Sequence, residues 1–381
     1  MAMPTPSAHS CPDTDVLVVG HGPVGQVLGT LLAQRGWLTT VVDPTPRSTS
    51  IPRVVGFDAE TMRVLTTAGL GQKLRQIGVP GTSLEFENET LRFSRQKCWP
   101  ELTMLHQGAL EAALADRATR LPNLNVLRGV DATLLVDRGL HAEVVAGGDV
   151  VTSSWVVGCD GMHSFHHEAS RWRSGRILLV GDAMQPVSVF GGPGLCGGIR
   201  DAANLAWKLD LVLRGRAGET LLDSYALERQ TPRRLSAGVL HRSEGRRCSH
   251  TGHLLPQASV ASTDERGPFD DVVGRGFVLV STEEPRRVLS DRLRAFLEDI
   301  DAHMVQLLPA GTPLDTVGED AVVDVDDVYL PYFAAAGEIG ALVRPDFYLF
   351  GTAHDPHDLA ELVDDLREQL FHNRFRPRPI E

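Results

Sequence analysis

A glycine-rich turn near the N-terminus constrains the fold of this chain more than any other feature. The apolar run Asp15–Val19 is followed directly by Gly20-His21-Gly22-Pro23-Val24-Gly25, and then by an Ala- and Leu-rich stretch that ends at Gly36. This order predicts a strand, a tight turn and a helix. The first glycine permits the sharp turn, the second lets the backbone approach a pyrophosphate, and the third lets the helix pack on the strand. The motif therefore predicts a dinucleotide site at Gly20, Gly22 and Gly25.

A second apolar run, Leu38–Val42, ends in an aspartate at the position expected for a ribose ligand. Asp43 follows Gly20 by 23 residues, close to the offset of roughly 20 residues at which an acidic side chain binds ribose hydroxyls. NAD and FAD share the ADP half, so these two motifs leave both cofactors open. A glycine-rich turn in an unrelated α/β domain is the alternative.

Another acidic glycine motif lies in the middle of the chain. The apolar run Ile177–Val180 ends in Gly181-Asp182, and a glycine-rich loop at 191–198, which includes Gly194, precedes a predicted helix. An acid at the carboxyl end of such a strand lies where ligands bind, and it can accept hydrogen bonds from a ribityl chain. The helix N-terminus suits the anionic edge of reduced flavin. Since NAD has no ribityl chain, FAD is the favoured cofactor.

Composition narrows the class of partner. The chain has 381 residues, of which 42% are hydrophobic and 23% charged, as is typical of a globular protein with two domains. Its net charge of −12 argues against nucleic acid or an anionic membrane surface as a partner. The five cysteines form no CxxC pair, which argues against a disulfide framework or a zinc site and favours the cytoplasm. We expect neither export nor membrane insertion, because the sequence shows no leader and no long apolar run.

Several further segments follow the same order as in a known flavoprotein family. They are Pro52-Arg53, Phe57-Asp58, His106-Gln107, Cys159-Asp160-Gly161, Gly181-Asp182 with the helix after it, LLDSYALER at 221–229 and RPDFYLFG at 344–351. Together with the glycine turn, they resemble the single-component FAD-dependent aromatic hydroxylases of the p-hydroxybenzoate hydroxylase type. Within that family the chain is most similar to the 3-(3-hydroxyphenyl)propanoate hydroxylases.

The resemblance implies a function and a set of cofactor ligands. Asp43 would hold the adenine ribose, and Arg53 and Gln107 the phosphates and the ribityl region. Asp160, with Gly161, would serve the flavin, and Asp182 the ribityl chain. The implied reaction is reduction of FAD by NADH or NADPH, followed by hydroxylation of a small phenolic substrate with O2. No residue is assigned as a phenol ligand.

The segment that should carry the substrate pocket is short. Gly181 follows Asp160 by only 21 positions, where the family places a substrate domain on the order of 100 residues, the size of an independent domain. We expect only a remnant of that domain, at about 79–103 and 162–175, with a strand pair in 84–93. Two alternatives to the hydroxylase therefore stay open. One is a non-catalytic FAD-binding remnant or scaffold, and the other is an uncoupled NAD(P)H oxidase.

The predicted organisation is α/β, with a Rossmann-like FAD-binding domain at 1–240, a linker at 241–268 and a thioredoxin-like domain at 269–378. In the last of these a strand is predicted at 277–280, a helix at 286–300 and a final amphipathic helix at 359–370. Without a CxxC pair this domain has no dithiol to cycle. We expect it to serve in packing or in contact within a possible homodimer.

Two clusters resemble metal sites and are set aside. His163, His166, His167 and Glu168 are interpreted as a solvated turn, because close spacing alone does not converge zinc ligands. The segment 324–335 begins like a calcium loop but lacks the glycine at its sixth position and the glutamate at its twelfth. No metal is therefore expected.

Overall fold

The computed structural model describes residues 12–46, 54–86, 89–92, 98–161, 171–184, 193–230, 235–241 and 250–372. Arg53 and the histidine cluster at 163–168 lie outside these residues. The chain forms two compact units, one comprising 1–79 and 104–203 and the other 80–103 and 204–381. The domain boundaries proposed from the sequence stay a prediction.

The regular elements before residue 180 include thirteen strands and four α-helices among the described residues. In chain order they are β1 (Thr14–Val19), α1 (Pro23–Gln34), β2 (Thr39–Asp43), β3 (Val54–Asp58), α2 (Ala59–Leu65), α3 (Gly71–Ile77), β4 (Val79–Pro80), β5 (Ser83–Phe86), β6 (Glu89–Arg92), β7 (Leu102–His106), α4 (Gln107–Ala118), β8 (Leu124–Arg128), β9 (Ala132–Asp137), β10 (Ala142–Ala146), β11 (Asp149–Gly158), β12 (Arg173–Ser174) and β13 (Ile177–Leu179).

Seven α-helices and seven strands follow among the described residues. They are α5 (Pro193–Leu213), α6 (Asp223–Arg229), β14 (Ser259–Ala261), β15 (Arg266–Pro268), α7 (Phe269–Val272), β16 (Val278–Ser281), α8 (Pro285–Val288), α9 (Asp291–Asp299), β17 (His303–Leu308), β18 (Ala321–Asp324), α10 (Tyr329–Ala335), β19 (Gly340–Val343), β20 (Leu349–Ala353) and α11 (Pro356–His372).

A parallel sheet forms the centre of the first unit. Its strands run β13-β11-β1-β2-β8, and each neighbouring pair is parallel. Val16, Leu17 and Val18 of β1 are fully buried, as expected for a parallel strand covered on both faces. The arrangement brings the carboxyl ends of five strands to one edge, which is where ligands bind in sheets of this kind.

The predicted strand, turn and helix at the N-terminus are confirmed. The helix α1 begins at Pro23, directly after its N-cap Gly22. Proline suits this position because its missing N–H would have no partner within the helix. A Cβ on Gly29 would lie 3.1 Å from the Val41 side chain, so a small residue is needed where α1 crosses β2.

The antiparallel extension of this sheet was not predicted. Strands β9, β10 and β11 pair in succession, and β10 and β11 are joined by a turn at Gly147-Gly148. Both glycines have positive φ, at 61° and 98°. A Gly-Gly pair between two alternating apolar runs is a hairpin signal, so the sequence did contain the information.

The prediction of a glycine loop as far as residue 198 is wrong in part. The helix α5 already begins at Pro193, which places Gly194, Gly197 and Gly198 inside it. Close packing explains Gly198, because a Cβ there would lie 2.7 Å from the Val24 side chain. Gly198 therefore serves helix packing.

The second unit contains a mixed seven-stranded sheet in the order β15-β14-β18-β17-β16-β19-β20. Strands β16, β17 and β18 are parallel, whereas β19 and β20 are antiparallel. The helix α11 confirms the predicted amphipathic helix, and its apolar face is buried at Leu359, Leu362, Val363, Leu366 and Leu370. The strands β14 and β15 lie within the range proposed as a linker.

Two local predictions for this unit have different outcomes. The strand pair expected in 84–93 is present as β5 and β6, which pair antiparallel. The single helix expected at 286–300 is instead two helices, α8 and α9. The chain is extended at Leu289 and Ser290, with ψ values of 143° and 158°. Burial of Leu289 in the core accounts for the break, and Ser290 is the N-cap of α9.

The aspartate-rich segment at 324–327 has a structural role. Asp324 is fully buried and accepts hydrogen bonds from the backbone N–H groups of Val328, Tyr329 and Leu330. Its carboxylate thus satisfies donors at the start of α10 that the helix itself leaves unpaired.

Two of the family-like segments of the second unit meet in a buried ionic network. Glu228, from LLDSYALER, accepts hydrogen bonds at 2.7 Å from Arg344 and at 2.8 Å from Lys208. Arg344, from RPDFYLFG, also donates to Asp346 at 2.6 Å, and Asn204 donates to both carboxylates. The charged side chains are almost fully buried. The network therefore fixes the relative positions of α5, α6 and the β19-β20 turn within this unit.

Among the helices of the described residues, none combines the length and the apolar composition that crossing a bilayer requires.

Candidate functional site

A cavity of about 730 Å³ lies at the carboxyl edge of the parallel sheet in the first unit. Its lining residues come from the ends of all five parallel strands, from the first turns of α1, α4 and α5, and from the start of β9. They are Val19, Gly20, His21, Gly22, Pro23, Val24, Asp43, Pro44, Thr45, Gln107, Glu111, Arg128, Asp131, Ala132, Thr133, Cys159, Asp160, Gly161, Val180, Asp182, Gly194 and Leu195.

The glycine turn is shaped by close backbone packing. Gly20 has a φ of 106°, and a Cβ there would lie 2.6 Å from the Cys159 carbonyl. A Cβ on Gly25 would lie only 2.0 Å from the Gly20 carbonyl oxygen. In contrast, a Cβ on Gly22 would meet nothing within 4 Å. The second glycine therefore leaves open space beside the backbone, as a site that receives a pyrophosphate requires.

Asp43 is held rigidly at the end of β2. Its carboxylate accepts the His21 backbone N–H at 2.6 Å and the Thr45 backbone N–H at 2.7 Å. These two bonds orient the carboxylate beside the glycine turn. In this position a carboxylate can still accept hydrogen bonds from ribose hydroxyls, since each oxygen has two lone pairs.

The other end of the cavity carries Asp160, Gly161, Asp182 and Gly194. Burial raises the pKa of Asp182 above its usual value, and the nearby carboxylate of Asp201 raises it further. The Asp201 carboxylate in turn accepts the backbone N–H of Gly181. The carboxyl group of Asp182 is therefore held where its charge is poorly solvated, so hydrogen-bond donors from a ligand would stabilise it.

Gln107 lies at the first position of α4, as predicted. Its side-chain amide donates to Glu111 Oε1 at 2.8 Å, and Glu111 is nearly fully buried. Both residues line the cavity. They place a polar pair in the lining of the cavity.

The residues of this cavity fit FAD. An open backbone stretch at Gly22 suits the pyrophosphate, and the fixed carboxylate of Asp43 suits a ribose. Two further carboxylates at the far end suit a hydroxylated chain and a flavin. The set contains acceptors for hydroxyl groups at both ends and backbone donors between them, which is the polar pattern of a dinucleotide.

The structure brings together eight of the eleven residues predicted from the sequence. Gly20, Gly22, Asp43, Gln107, Asp160, Gly161, Asp182 and Gly194 all line the cavity. Gly25 packs behind it on Gly20, and Gly181 packs against Gly198. Arg53 lies outside the described residues. These placements leave the individual roles as proposals.

Six polar residues of the cavity were not predicted from the sequence: His21, Thr45, Glu111, Arg128, Asp131 and Thr133. Glu111 follows Gln107 by one helical turn, so its place on the same face of α4 could have been predicted. Arg128 and Asp131 reach the cavity because β8 pairs with β2, a contact between distant parts of the chain. No local sequence pattern predicts that pairing.

Replacing Asp182 by asparagine is expected to separate cofactor affinity from stability. The folded chain disfavours the ionised form of Asp182. The free energy of unfolding that is lost by ionising Asp182 therefore grows as the pH rises from the ordinary pKa of 3.8 through the raised pKa. The asparagine variant should therefore gain thermal stability relative to the wild-type apoprotein as the pH is raised. Its FAD affinity should fall about tenfold or more, because a hydrogen bond to a charged group is lost.

Thermal melts of the two apoproteins from acid to neutral pH, with FAD titrations at neutral pH, check both effects. Equal FAD affinity in the variant and the wild type would contradict a role for Asp182 in binding the cofactor.

Two family models match the chain. One, described as "FAD binding domain", matches residues 13–169 and 165–235, and the other, described as "HcaD C-terminal domain", matches residues 252–369. The two stretches of the first match meet between Asp160 and Asp182. The junction thus coincides with the place where the sequence is short.

Curated relatives match over nearly their whole length. A "Probable NADH-specific resorcinol 4-hydroxylase" of Rhodococcus jostii (strain RHA1) is 24% identical, over 92% of this chain and 94% of that protein. A "3-(3-hydroxy-phenyl)propionate/3-hydroxycinnamic acid hydroxylase" of Mycobacterium avium (strain 104) is 26% identical, over 94% and 92%. These proteins are therefore related to the chain from end to end.

The first of these alignments also measures what this chain lacks. It extends over 522 positions, whereas the aligned 92% of 381 residues amounts to about 350 residues. About 170 positions of the alignment (522 less 350) therefore have no residue in this chain. The relative carries internal segments, of the size of a domain, that are missing here.

Solved structures show the same fold. The flavin-dependent monooxygenase PieE in complex with FAD and substrate superposes with a TM-score of 0.76 at 16% identity, covering 94% of this chain and all of that one. The complex of aklavinone-11 hydroxylase with FAD and aklavinone gives a TM-score of 0.75 at 17% identity, with the same coverage. At these identities the likeness is one of fold.

The match to the first family model spans residues 13–235, which is more than half of the chain, and this range includes every residue that lines the cavity. The chain belongs to the FAD binding domain family, the family to which the motifs of its sequence pointed.

Proposed function

We propose that this protein is an FAD-dependent monooxygenase that hydroxylates a small phenolic compound with NADH or NADPH and O2. The observation that carries the proposal is the gathering of eight predicted cofactor residues around one cavity. The names of the relatives, all aromatic hydroxylases, support the reaction type. The Rhodococcus relative is named as NADH-specific, which makes NADH the first reductant to test.

Different residues of the chain would bind different parts of the cofactor. Asp43 would bind the ribose of the ADP half, and the backbone at Gly20 and Gly22 would bind the pyrophosphate at the N-terminus of α1. Asp160 and Asp182 would bind the flavin half. When bound, FAD supplies the chemistry of accepting a hydride and of activating O2.

The protein's own contribution is to bind, orient and exclude water. The overall reaction consumes one phenol, one NAD(P)H, one proton and one O2, and it yields the hydroxylated phenol, NAD(P)⁺ and water. Buried Cys159 lies beside the cavity, but burial and the carboxylate of Asp160 raise the pKa of its thiol. We therefore assign it no part in proton transfer.

A second candidate function is an uncoupled NAD(P)H oxidase. The observation that favours it is the absence of about 170 alignment positions (522 less 350) in this chain. Of the residues between Asp160 and Asp182, the structure describes Gly161 and 171–181, where β12 and β13 form a short antiparallel pair. If the chain shields bound FAD less completely from water, the net reaction would consume NAD(P)H, a proton and O2 and would yield NAD(P)⁺ and H2O2.

We further infer that the second unit contains a thioredoxin-like domain. The order β20-β19-β16-β17, with α9 joining the parallel pair and α11 after the last strand, supports this inference. No CxxC pair occurs in the chain, so a dithiol role is not proposed. Packing or contact within a homodimer is the proposed role, and light scattering of the purified protein tests the dimer.

Product analysis separates the two candidate functions. Purified, FAD-loaded protein is incubated with NADH, air and a panel of phenolic acids and resorcinols, and NADH oxidised, hydroxylated product and H2O2 are quantified. The monooxygenase predicts product in near-equal amount to NADH for at least one phenol. An amount of H2O2 equal to the NADH oxidised, with every phenol, would support the oxidase. FAD binding without any NADH oxidation would support a non-catalytic scaffold.

A further inference from the structure

An arginine and a histidine form a close pair at one end of the cavity. Arg128 is the last residue of β8 and lies in register beside Asp43 of β2. One terminal nitrogen of its guanidinium lies 2.6 Å from Nδ1 of His21. His21 belongs to the glycine turn, and its side chain is almost fully buried. Three residues from β2, β8 and the turn thus converge on one corner.

The chemistry of the pair fixes its protonation. A guanidinium has only donors, so Nδ1 of His21 must accept, and the imidazole proton must lie on Nε2. Burial, with a further contribution from Arg128, lowers the pKa of His21 to about 4. The imidazole is therefore neutral at physiological pH, and it orients the guanidinium without neutralising its charge.

Sheet order places this corner relative to the rest of the cavity. From one side to the other, the strand ends carry Asp182 after β13, Asp160 after β11, Gly20 after β1, Asp43 on β2 and Arg128 on β8. Neighbouring strands lie about 4.8 Å apart, so the backbone of Arg128 is about 10 Å from that of Gly20, and its guanidinium extends back to His21 in the turn. The end of β8 thus lies beyond Asp43, on the side of the ribose on which an adenine ring would lie.

We propose that Arg128, oriented by neutral His21, packs against the adenine ring of FAD and gives the site its affinity for the ADP half of the cofactor. This inference rests on the proposed FAD-dependent function and assigns two residues to it. A planar guanidinium stacks on aromatic rings better than an ammonium does. Ala132 and Thr133 complete the wall at this corner. Arg128 is then a cofactor ligand and His21 a positioning residue.

The first test compares Arg128→Met with Arg120→Met. Arg120 is a matched control because it lies in the same unit but pairs with Asp116 at the surface, where both side chains are 65% exposed. Fluorescence titration of each apoprotein with FAD, and displacement of FAD by ADP, report on the whole cofactor and on the ADP half. We expect Arg128→Met to lose about tenfold or more in affinity for FAD and for ADP alike. Arg120→Met should match the wild type.

The second test concerns His21. His21→Leu removes the acceptor and should lose a large part of the same affinity, whereas His21→Asn places an amide oxygen near Nδ1 and should restore it. Protonated His21 would repel the guanidinium of Arg128 and would no longer orient it. The FAD affinity of the wild type should therefore fall as the pH falls towards 4. Carboxylates also titrate in acid, and Asp43, Asp131 and Glu111 line this cavity. The informative quantity is therefore the difference between the wild type and His21→Asn.

The outcomes are distinguishable. If the wild-type protein binds no FAD, the proposed function fails before this inference is tested. If it binds FAD, equal affinities in Arg128→Met and Arg120→Met overturn the inference, as does a loss of FAD affinity without a loss for ADP. Arg128→Lys, which keeps the charge but not the plane, provides a second measurement if the methionine variant does not fold.

Discussion

Replacing Arg344 by methionine is expected to lower the free energy of unfolding by about 3–5 kcal/mol, the usual cost of breaking a buried ion pair from one side. The substitution leaves Glu228 and Asp346 buried without the cation that binds both of them. Burial alone would raise the pKa of Glu228, but Arg344 and Lys208 outweigh it and hold the pKa at about 2. The stability that this network provides is therefore present above pH 4.5 and is lost as the pH falls towards 2.

Urea denaturation at neutral pH measures this effect. Arg292→Met is the control, because Arg292 makes a 3.5 Å surface pair with Asp364 and is 67% exposed. The control should change the free energy of unfolding by less than about 1 kcal/mol. Equal stabilities of the two variants would contradict the structural role assigned to the network.

Replacing Gly25 by alanine is expected to abolish stable FAD binding. The new Cβ would lie 2.0 Å from the carbonyl oxygen of Gly20, and both partners are backbone, so the turn itself must move. Such overpacking costs about 1–3 kcal/mol in stability, and it displaces the N–H groups that face the pyrophosphate. Purified Gly25→Ala should therefore contain little flavin, and the melting temperature of the apoprotein should be lower.

Two other glycines provide controls for this result. A Cβ on Gly22 meets nothing within 4 Å and Gly22 lines the cavity, so Gly22→Ala should weaken FAD binding while leaving apoprotein stability unchanged. Gly197 lies inside α5 with open space around it, so Gly197→Ala should retain FAD and gain up to about 1 kcal/mol. Full flavin content in Gly25→Ala would contradict the assignment of the turn.

The parts of the site that were predicted from the sequence depend on local pattern. Two such patterns are a glycine turn between a strand and a helix and an acid at the end of a strand. Each can be recognised within about 25 residues, because its geometry and its residue types are set locally. Asp43 and Asp182 were found in this way, and they line one cavity.

The parts that were missed depend on tertiary contacts. Arg128 reaches the site only because β8 pairs with β2, and the role of the His21 ring depends on its contact with Arg128. The break between α8 and α9 likewise follows from burial of Leu289 in the core, which the helical spacing of the apolar residues did not reveal. Packing overrides local propensity in such cases.

We propose that a chain that lacks about 170 alignment positions of its Rhodococcus relative (522 less 350) still folds around a reducible flavin. The most direct test is the visible absorption spectrum of the gel-filtered protein, with the ratio of FAD to protein, recorded before and after NADH is added under nitrogen. We expect near-equimolar FAD, whose absorption bleaches when NADH is added. A colourless protein that cannot be reconstituted with FAD would contradict the proposed function.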